Sequence, residues 1–544
     1  MQFSTQSRAS GSDPPTLESG LHKTGRMKID RWTGCWVVVC LVALTRFFFR
    51  SHYLYDIDSV NFALALDHFD PTTYQPHPPG YFLYVFLGRL VNSLFHDANA
   101  SLVAISILAS CGTALLIWAL ADEWFGQPAA LFASLIFLFS PLCWFHGTVA
   151  LTYIVEAFFS TLLGLLCWRV ISGRQRWLMP ATVTLGLVVG FRPSSLLLLG
   201  PLWLLSLRGL RAKQVFLAFL TLAVTIGAWF IPMLYLSGGP AAYFGSLYAL
   251  WQMVPGKRTI FNSGLAVSLA RICVVAAILG MCFGAAGLLV FSRRQAAQSD
   301  RRKTWFTWVW VTPSLLFFTF VFLAWVNSGY LLALTPPLFC WLGSFAAAWY
   351  GQASYSRPWK VAAIGLCAAL NTAVFLYAPL YCSWNSVRAF EKELTTIQAA
   401  LPQVAAPNET LIVGFDSHFL GYRHAAYYLP DYLTLQFPEV RLPEGMRVFA
   451  VQHRRTRLLS SIPAGQFKNF VFFPLPTGES DYREYFAGVR GRFSEGVLHP
   501  TSAAGREFLV GSSSELYKLF PTLASKSARL YTRLHGGSAA VYGR

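Results

Sequence analysis

Charged residues are scarce in this sequence. They make up 12% of its 544 residues, whereas a soluble globular protein has about 25%. The hydrophobic share is 55%, and the mean hydropathy is +0.46. This composition argues against a water-soluble protein and indicates long apolar segments that cross a membrane.

Acidic residues are fewer than basic ones. The 25 Asp and Glu residues face 43 Lys and Arg residues, which gives a formal net charge of +18. The basic residues form no stripe on a polar domain, as a nucleic-acid-binding surface would require. They cluster between apolar runs, where Lys and Arg determine membrane orientation. We therefore expect no nucleic-acid partner.

Metal-binding and disulfide motifs are absent from the sequence. None of the ten cysteines belongs to a CxxC or Cys/His spacing. All lie in or beside apolar runs, where cysteine behaves as a small hydrophobic residue. The sequence after Cys382 has no cysteine. We therefore assign no metal site and no cofactor from these residues, and the use of a divalent metal ion is left open.

Eleven apolar segments approach the length of about 20 residues that a transmembrane helix needs. The first follows a basic stretch but has no small-residue cleavage site, so we interpret it as an uncleaved span. We predict an all-α polytopic membrane domain over residues 32–382, preceded by a cytoplasmic tail, residues 1–31. The candidate spans are 32–49, 101–120, 128–147, 150–168, 177–191, 194–207, 214–236, 264–291, 305–325, 329–349 and 360–381.

The loops between these segments differ in charge, and this difference predicts the orientation. With a cytoplasmic N-terminus, the inside loops contain the basic clusters within 169–176, 208–213, 293–303 and 357–360. Because cytoplasmic loops are enriched in Lys and Arg, the N-terminus is predicted inside and residues 383–544 outside. The outside loops contain only Arg50, Arg89, Arg192, Lys257 and Arg258.

One further apolar segment, residues 80–95, is short and is interrupted by Gly88 and Arg89. Counting it as a span would reverse every later loop against the charge bias. We predict instead an amphipathic helix in the outer membrane interface.

The C-terminal region, residues 383–544, differs in character from the rest of the chain. Pro and Gly are frequent, charges are evenly spread, and strand-like runs occur at 411–414 and 470–473. Its length of about 160 residues is enough for one soluble domain. We predict an extracytoplasmic α/β domain.

Two carboxylates open the first outside loop, residues 50–100. Asp56 and Asp58 lie just outside a span, so they are close to lipid headgroups. Asp58 and Ser59 could cap a helix over 60–68, or the carboxylates could take part in a reaction. Farther along, His77 lies among prolines that stiffen the chain. It could make a structural contact or contact a substrate.

Four other ionisable residues lie near the outer ends of spans. Arg192 separates two short spans, and Lys257 and Arg258 lie in a loop expected over 237–263. Each could bind a phosphate, Arg in a bidentate manner, or extend to headgroups. Glu156, near the outer end of the fourth span, needs a partner. That partner could be Arg192, Arg46 or a substrate.

The order of these segments resembles a known family. Asp-Ser-Val-Asn-Phe-Ala at 58–63, followed by His-Pro-Pro-Gly-Tyr at 77–81, is similar to the first outside loop of GT-C superfamily glycosyltransferases. The protein O-mannosyltransferase-like branch and its bacterial relatives are the most similar. The resemblance covers about residues 30–350 and not the C-terminal region. Its other segments are Ser-Pro-Leu-Cys-Trp at 140–144, Tyr-Ile-Val-Glu at 153–156, Gly-Tyr-Leu-Leu at 329–332 and Pro-Pro at 336–337.

This resemblance implies a polyprenyl-phosphate sugar as donor and an acidic residue of the first outside loop as catalytic base. By position the base is Asp58, with Asp56 as the second candidate. Asn61 stands where relatives often have an acidic residue, which puts a paired-carboxylate mechanism in doubt. The acceptor could be a glycan, a protein or a lipid. The resemblance also implies a multi-pass protein of the bacterial inner membrane.

A single carboxylate suits such a donor, because its phosphate departs as a stable anion. The enzyme must take a proton from the acceptor and stabilise charge on the phosphate. One in-line displacement inverts the anomeric carbon. A transporter or lipid-linked glycan flippase would instead need ionisable residues deep within its spans. A polymerase that uses a diphosphate-linked donor and an inactive relative are further alternatives.

Overall fold

Helices dominate the described residues from Arg31 to Val404, and a β-sheet follows them. The structure is a computed structural model. It describes residues 31–253, 259–295, 300–323, 325–353, 355–414, 417–436, 448–459, 467, 469–473, 498–503 and 506–512.

The helices follow the apolar segments closely. The interior of a membrane offers no water to the backbone, so an apolar segment there pairs its N–H and C=O groups with one another in a helix. In chain order they are α1 (Arg31–Phe48), α2 (Ile57–Asp67), α3 (Phe82–Phe95), α4 (Ala98–Phe125), α5 (Gln127–Leu138), α6 (Pro141–His146), α7 (Tyr153–Ile171), α8 (Leu178–Phe191), α9 (Ser195–Ser206), α10 (Ala212–Leu236), α11 (Pro240–Met253), α12 (Ile260–Phe283), α13 (Arg301–Phe320), α14 (Thr335–Gly351), α15 (Arg357–Tyr377), α16 (Trp384–Val404) and α17 (Tyr422–Tyr428).

Six helical stretches within the described residues are long and apolar enough to cross a membrane. Shorter apolar helices accompany them, including α1, α5 and α9. The prediction of a mostly helical, multi-pass membrane protein is thereby confirmed. The long stretches are Ala98–Phe125, Tyr153–Ile171, Ala212–Leu236, Ile260–Val290, Val326–Gly351 and Arg357–Tyr377.

Two helix starts were not predicted, and each lies at a proline. The candidate span 128–147 is divided into α5 and α6, because Ser140 caps a new helix whose first residue is Pro141. The expected loop 237–263 contains α11, which begins at Pro240. Proline favours the first position of a helix, where no backbone N–H is needed.

The segment predicted as an amphipathic helix is helical, as α3. Its apolar residues Phe86, Leu90 and Leu94 are exposed along one side. On the other side, a Cβ on Gly88 would lie 2.8 Å from Leu66 Cδ2, so the missing side chain lets α3 pack closely against α2. Its depth in the membrane interface stays a prediction.

The C-terminal region contains a mixed seven-stranded sheet in the order β4-β3-β2-β1-β5-β7-β6. Strand β1 pairs in parallel with β2 and β5, and the outer strands are antiparallel. Helix α17 connects β1 to β2 and packs against α2 of the first outside loop. The strands are β1 (Thr410–Gly414), β2 (Leu433–Gln436), β3 (Val448–Gln452), β4 (Arg455–Leu459), β5 (Asn469–Phe473), β6 (Leu498–Ala503) and β7 (Arg506–Ser512).

Candidate active site

Asp58 lies in the first turn of α2, and Asp56 is the residue that caps this helix. The Asp56 Oδ1 atom accepts a hydrogen bond from the Asp58 backbone N–H at 2.9 Å. The expected cap at Asp58 and Ser59 is therefore wrong, because the helix begins at Ile57 rather than at residue 60. Asp56 therefore caps the helix, and within the described residues the Asp58 carboxylate makes no capping hydrogen bond.

His77 faces this carboxylate. Its Nδ1 atom lies 3.3 Å from Asp58 Oδ1, and both side chains are partly buried. Burial raises the pKa of Asp58 above its ordinary value, while the nearby His77 opposes the rise. On its other side, His77 Nε2 lies 3.2 Å from the Tyr81 hydroxyl. The loop thus presents a carboxylate suited to accept a proton.

A second acid–base pair joins three membrane helices. Arg192 Nε lies 3.1 Å from Glu156 Oε2, and the two side chains are 3% and 1% exposed. Arg192 also donates from Nη1 to Thr152 Oγ1 at 2.9 Å. Ser195, the first residue of α9, donates from Oγ to Glu156 Oε1 at 2.6 Å. Pro193 favours the end of α8 at this point, because a residue before proline avoids the helical region.

Three tyrosine rings surround the Arg192 guanidinium. Its Cζ atom lies 4.2 Å from the ring centroid of Tyr330, 4.6 Å from that of Tyr153 and 5.9 Å from that of Tyr81. Cation–π contacts of this kind stabilise a desolvated arginine. Because Tyr81 contacts His77 and Arg192, it connects the two acid–base pairs. We call Asp58, His77, Tyr81, Arg192 and Glu156 the loop–helix cluster.

The structure thus brings together most of the residues proposed from the sequence. The cluster contains four of them, and Asp56 lies beside it as the helix cap. Glu156 pairs with Arg192 and not with Arg46, which donates to the Leu138 carbonyl instead.

Two predicted phosphate-binding residues, Lys257 and Arg258, lie outside the described residues. The prediction that either one binds phosphate is therefore untested. Within the part of the chain that the structure describes, no three His, Cys, Asp or Glu side chains are arranged to hold a metal ion.

Several residues near the cluster were not predicted from the sequence. Tyr153 and Tyr330 lie within the segments that resemble GT-C glycosyltransferases. Their position in these segments could have indicated a place in the site. His146, the last residue of α6, is buried, and its Nε2 atom lies 3.4 Å from Ser328 Oγ. His418 of the C-terminal region lies 3.5 Å from Asp56 through its Nδ1 atom, and no local sequence signal indicated that contact.

The fold is shared with solved membrane glycosyltransferases. ArnT from Cupriavidus metallidurans, bound to undecaprenyl phosphate, aligns with a TM-score of 0.54 at 12% identity, over 88% of this chain and 97% of ArnT. Its apo state aligns with a TM-score of 0.53 at 13% identity, over 91% and 100%. Arabinosyltransferase EmbB from Mycobacterium smegmatis aligns with a TM-score of 0.37 at 15% identity, over 61% and 32%. The chain therefore has the fold of ArnT.

A family model gives a narrower match. The model described as "Protein O-mannosyl-transferase TMEM260 N-terminal domain" matches residues 72–215. The matched range includes His77, Glu156 and Arg192 and begins after Asp58. No curated protein matches the chain significantly. The predicted resemblance to membrane glycosyltransferases of the protein O-mannosyltransferase type is thereby confirmed.

Proposed function

We propose that this protein transfers a sugar from a polyprenyl-phosphate donor to an acceptor on the extracytoplasmic side of the membrane. The observation that carries the proposal is the Asp58–His77 pair, 3.3 Å apart, beside the Arg192–Glu156 pair. ArnT, whose structure holds undecaprenyl phosphate, supports this class of donor. The O-mannosyl-transferase family model favours mannose as the sugar.

Asp58 acts as the general base in this reaction. Its carboxylate accepts the proton of an acceptor hydroxyl or amine while the acceptor atom bonds to the anomeric carbon of the sugar. The bond from that carbon to the phosphate oxygen breaks, and its electron pair stays on the phosphate. The products are the inverted glycoside and the free polyprenyl phosphate. A pKa raised by burial makes Asp58 a stronger base than an exposed aspartate.

Arg192 contacts the leaving phosphate in this proposal. A guanidinium has five N–H groups, and Glu156, Thr152 and Tyr330 contact part of them. The remaining N–H groups can donate to an anion in a desolvated environment, where charge-assisted hydrogen bonds are strong. Glu156 keeps the arginine in place and balances its charge. Lys257 and Arg258 are further candidates for the same phosphate.

We propose the predicted membrane arrangement together with this function. It has about eleven spans, a cytoplasmic N-terminus and an extracytoplasmic α/β domain over residues 383–544, in a bacterial inner membrane. The distribution of Lys and Arg between the loops supports this orientation. A lipid-linked donor that lies in the outer leaflet would then present its phosphate at the depth of the loop–helix cluster.

The test replaces Asp58 in the full-length protein purified in detergent, with polyprenyl-phosphate mannose as donor. Loss of a general base typically costs about 10²-fold to 10⁴-fold in rate, so we expect Asp58→Asn to lower sugar release or transfer by at least about 10²-fold. Donor binding should persist. The control is Asp97→Asn, because Asp97 is an exposed cap of α4 whose side chain accepts from the Ala100 N–H.

Asp56→Asn separates the two candidate bases. Asn caps a helix about as well as Asp, so this variant keeps α2 and should retain far more turnover than Asp58→Asn. An active Asp58→Asn with an inactive Asp56→Asn would make Asp56 the base. Full activity in both variants would refute a catalytic role for this loop.

A further inference from the structure

Two separate segments of the first outside loop carry the members of the Asp58–His77 pair. One runs from Leu54 to Asp58 at the start of α2, and the other runs from Pro71 to His77. The pair therefore depends on how these two segments are held relative to each other. Both segments are bound by the C-terminal region.

The first segment is bound through its backbone. The Leu54 N–H donates to the Tyr428 hydroxyl at 2.7 Å, and the Ile57 N–H donates to the His418 carbonyl at 2.9 Å. His424 Nε2 donates to the Tyr55 carbonyl at 3.3 Å. Burial lowers the pKa of His424 to about 4, so the ring is neutral near pH 7. Its Nδ1 accepts from the Gly421 N–H, which leaves the proton on Nε2.

The second segment is bound by a buried arginine. The Arg423 guanidinium is fully buried and donates from Nη2 to the Thr73 carbonyl at 2.8 Å. Its Nη1 donates to Thr456 Oγ1 on β4 at 2.8 Å. Nearby, Gln75 donates from Nε2 to the Arg454 carbonyl at 3.4 Å. The sheet of the C-terminal region thus fixes the chain just before His77.

The side chain of His418, in the C-terminal region, lies close to Asp56, the residue that caps α2. His418 Nδ1 lies 3.5 Å from Asp56 Oδ2, while the other oxygen of Asp56 accepts from the Asp58 N–H. His418 therefore restrains the carboxylate that sets the first turn of α2. Asp56 is two residues away from the proposed base, Asp58. His418 itself is not the base.

We propose that the side chains of the C-terminal region that contact these two segments form part of the catalytic unit, with His418 as a positioning residue for Asp58. This inference rests on the proposed function. The C-terminal region holds both halves of the Asp58–His77 pair, and His418 acts through the Asp56 cap. Small misplacements of a catalytic group, about 1 Å, can cost about 10²-fold in rate.

The test measures kcat, the donor KM and the thermal unfolding midpoint for His418→Ala and His418→Asn in the full-length protein. We expect His418→Ala to lower kcat by about tenfold to 10²-fold with little change in donor KM. His418→Asn should recover most of kcat, because its side-chain amide offers a donor close to the position of Nδ1. The control is His453→Asn, since His453 is an exposed histidine of the same region.

Two results would overturn the inference. The first is a wild-type kcat in His418→Ala. The second is an equal loss of kcat in the Ala and Asn variants together with lower unfolding midpoints, which indicates a purely structural residue. The Asp58→Asn variant separates this inference from the proposed function. If Asp58→Asn is inactive and His418→Ala is fully active, only the role of the C-terminal region is wrong.

Discussion

The buried pair of Glu156 and Arg192 allows the stabilising role of the arginine to be separated from its role toward the donor. The two charged atoms lie 3.1 Å apart in side chains that are 1% and 3% exposed. Removing one partner of a buried pair costs about 3–5 kcal/mol, because the other charge is left without compensation. Replacing both partners by neutral residues of similar size is often close to neutral.

We therefore predict a strongly non-additive double-mutant cycle. Arg192→Met and Glu156→Gln should each lower the stability of the folded protein by about 3–5 kcal/mol. The double variant should regain most of that loss. The methionine side chain should pack against the three tyrosine rings as the arginine side chain does. The substitution should therefore leave only a small cavity and lose little stability through it.

Donor use should follow a different pattern in the same variants. A charge-assisted contact between Arg192 and the donor phosphate contributes about 1.5–3 kcal/mol, which is about tenfold to 10²-fold in affinity or rate. The stable double variant should keep that deficit, since it has no guanidinium. Arg192→Lys should recover only part of the donor use, because lysine keeps the charge without the planar fork.

The assay combines thermal unfolding in one detergent with donor KM and kcat for each variant. Arg50→Met is the control, because Arg50 lies outside the loop–helix cluster and its Nη1 donates to the Phe47 carbonyl. If the double variant recovers donor use along with stability, Arg192 is only a structural partner. The phosphate must then be sought at Lys257 and Arg258. Single variants as stable as the wild type would refute the reasoning about the buried pair.

Three further predictions concern the base, the tyrosine rings and the topology. Burial raises the pKa of Asp58 above its ordinary 3.8, so kcat/KM should fall with acid as the carboxylate is protonated, and a profile flat down to that value would contradict this. Gly329→Ala should lower activity and the unfolding midpoint, because its Cβ would lie 2.2 Å from Tyr153 Cγ. Gly365→Ala is the control, because a Cβ there would meet no atom of the described residues within 4 Å. Reporter fusions after Lys303 should be cytoplasmic and those after Ser383 extracytoplasmic, and the reverse result would displace the proposed active site.

Hydropathy predicted the positions of the apolar helices well, because a helix that crosses a membrane must be apolar along its whole length. The segment expected over 177–191 is the helix Leu178–Phe191. The sequence was less informative at proline, which occurs both where helices end and where they begin. Gly-Gly-Pro at 238–240 was interpreted as a loop, yet the proline starts a helix. Local composition does not distinguish a proline that ends a helix from one that begins the next.

The candidate site was predictable only in part. Asp58 and His77 belong to one loop, and their motif indicated that they act together. The Glu156–Arg192 pair was one of several pairings open from sequence, and only the packing of α7 against α8 selects it. The contact of His418 with Asp56 joins the C-terminal region to the first loop. Neither periodicity nor a motif links residues so far apart in the chain.

The charges of the loop–helix cluster suit a reaction in which negative charge moves without being created. Before transfer, the Asp58 carboxylate and the donor phosphodiester each carry one negative charge. Afterwards Asp58 is neutral, and the free polyprenyl phosphate carries both. Arg192 interacts electrostatically with Asp58 and is held by Glu156, so it can stabilise the charge at either end without moving. A cation fixed in advance by its own partner needs no reorganisation during the transfer, which explains why an arginine near the donor phosphate would be paired with a glutamate.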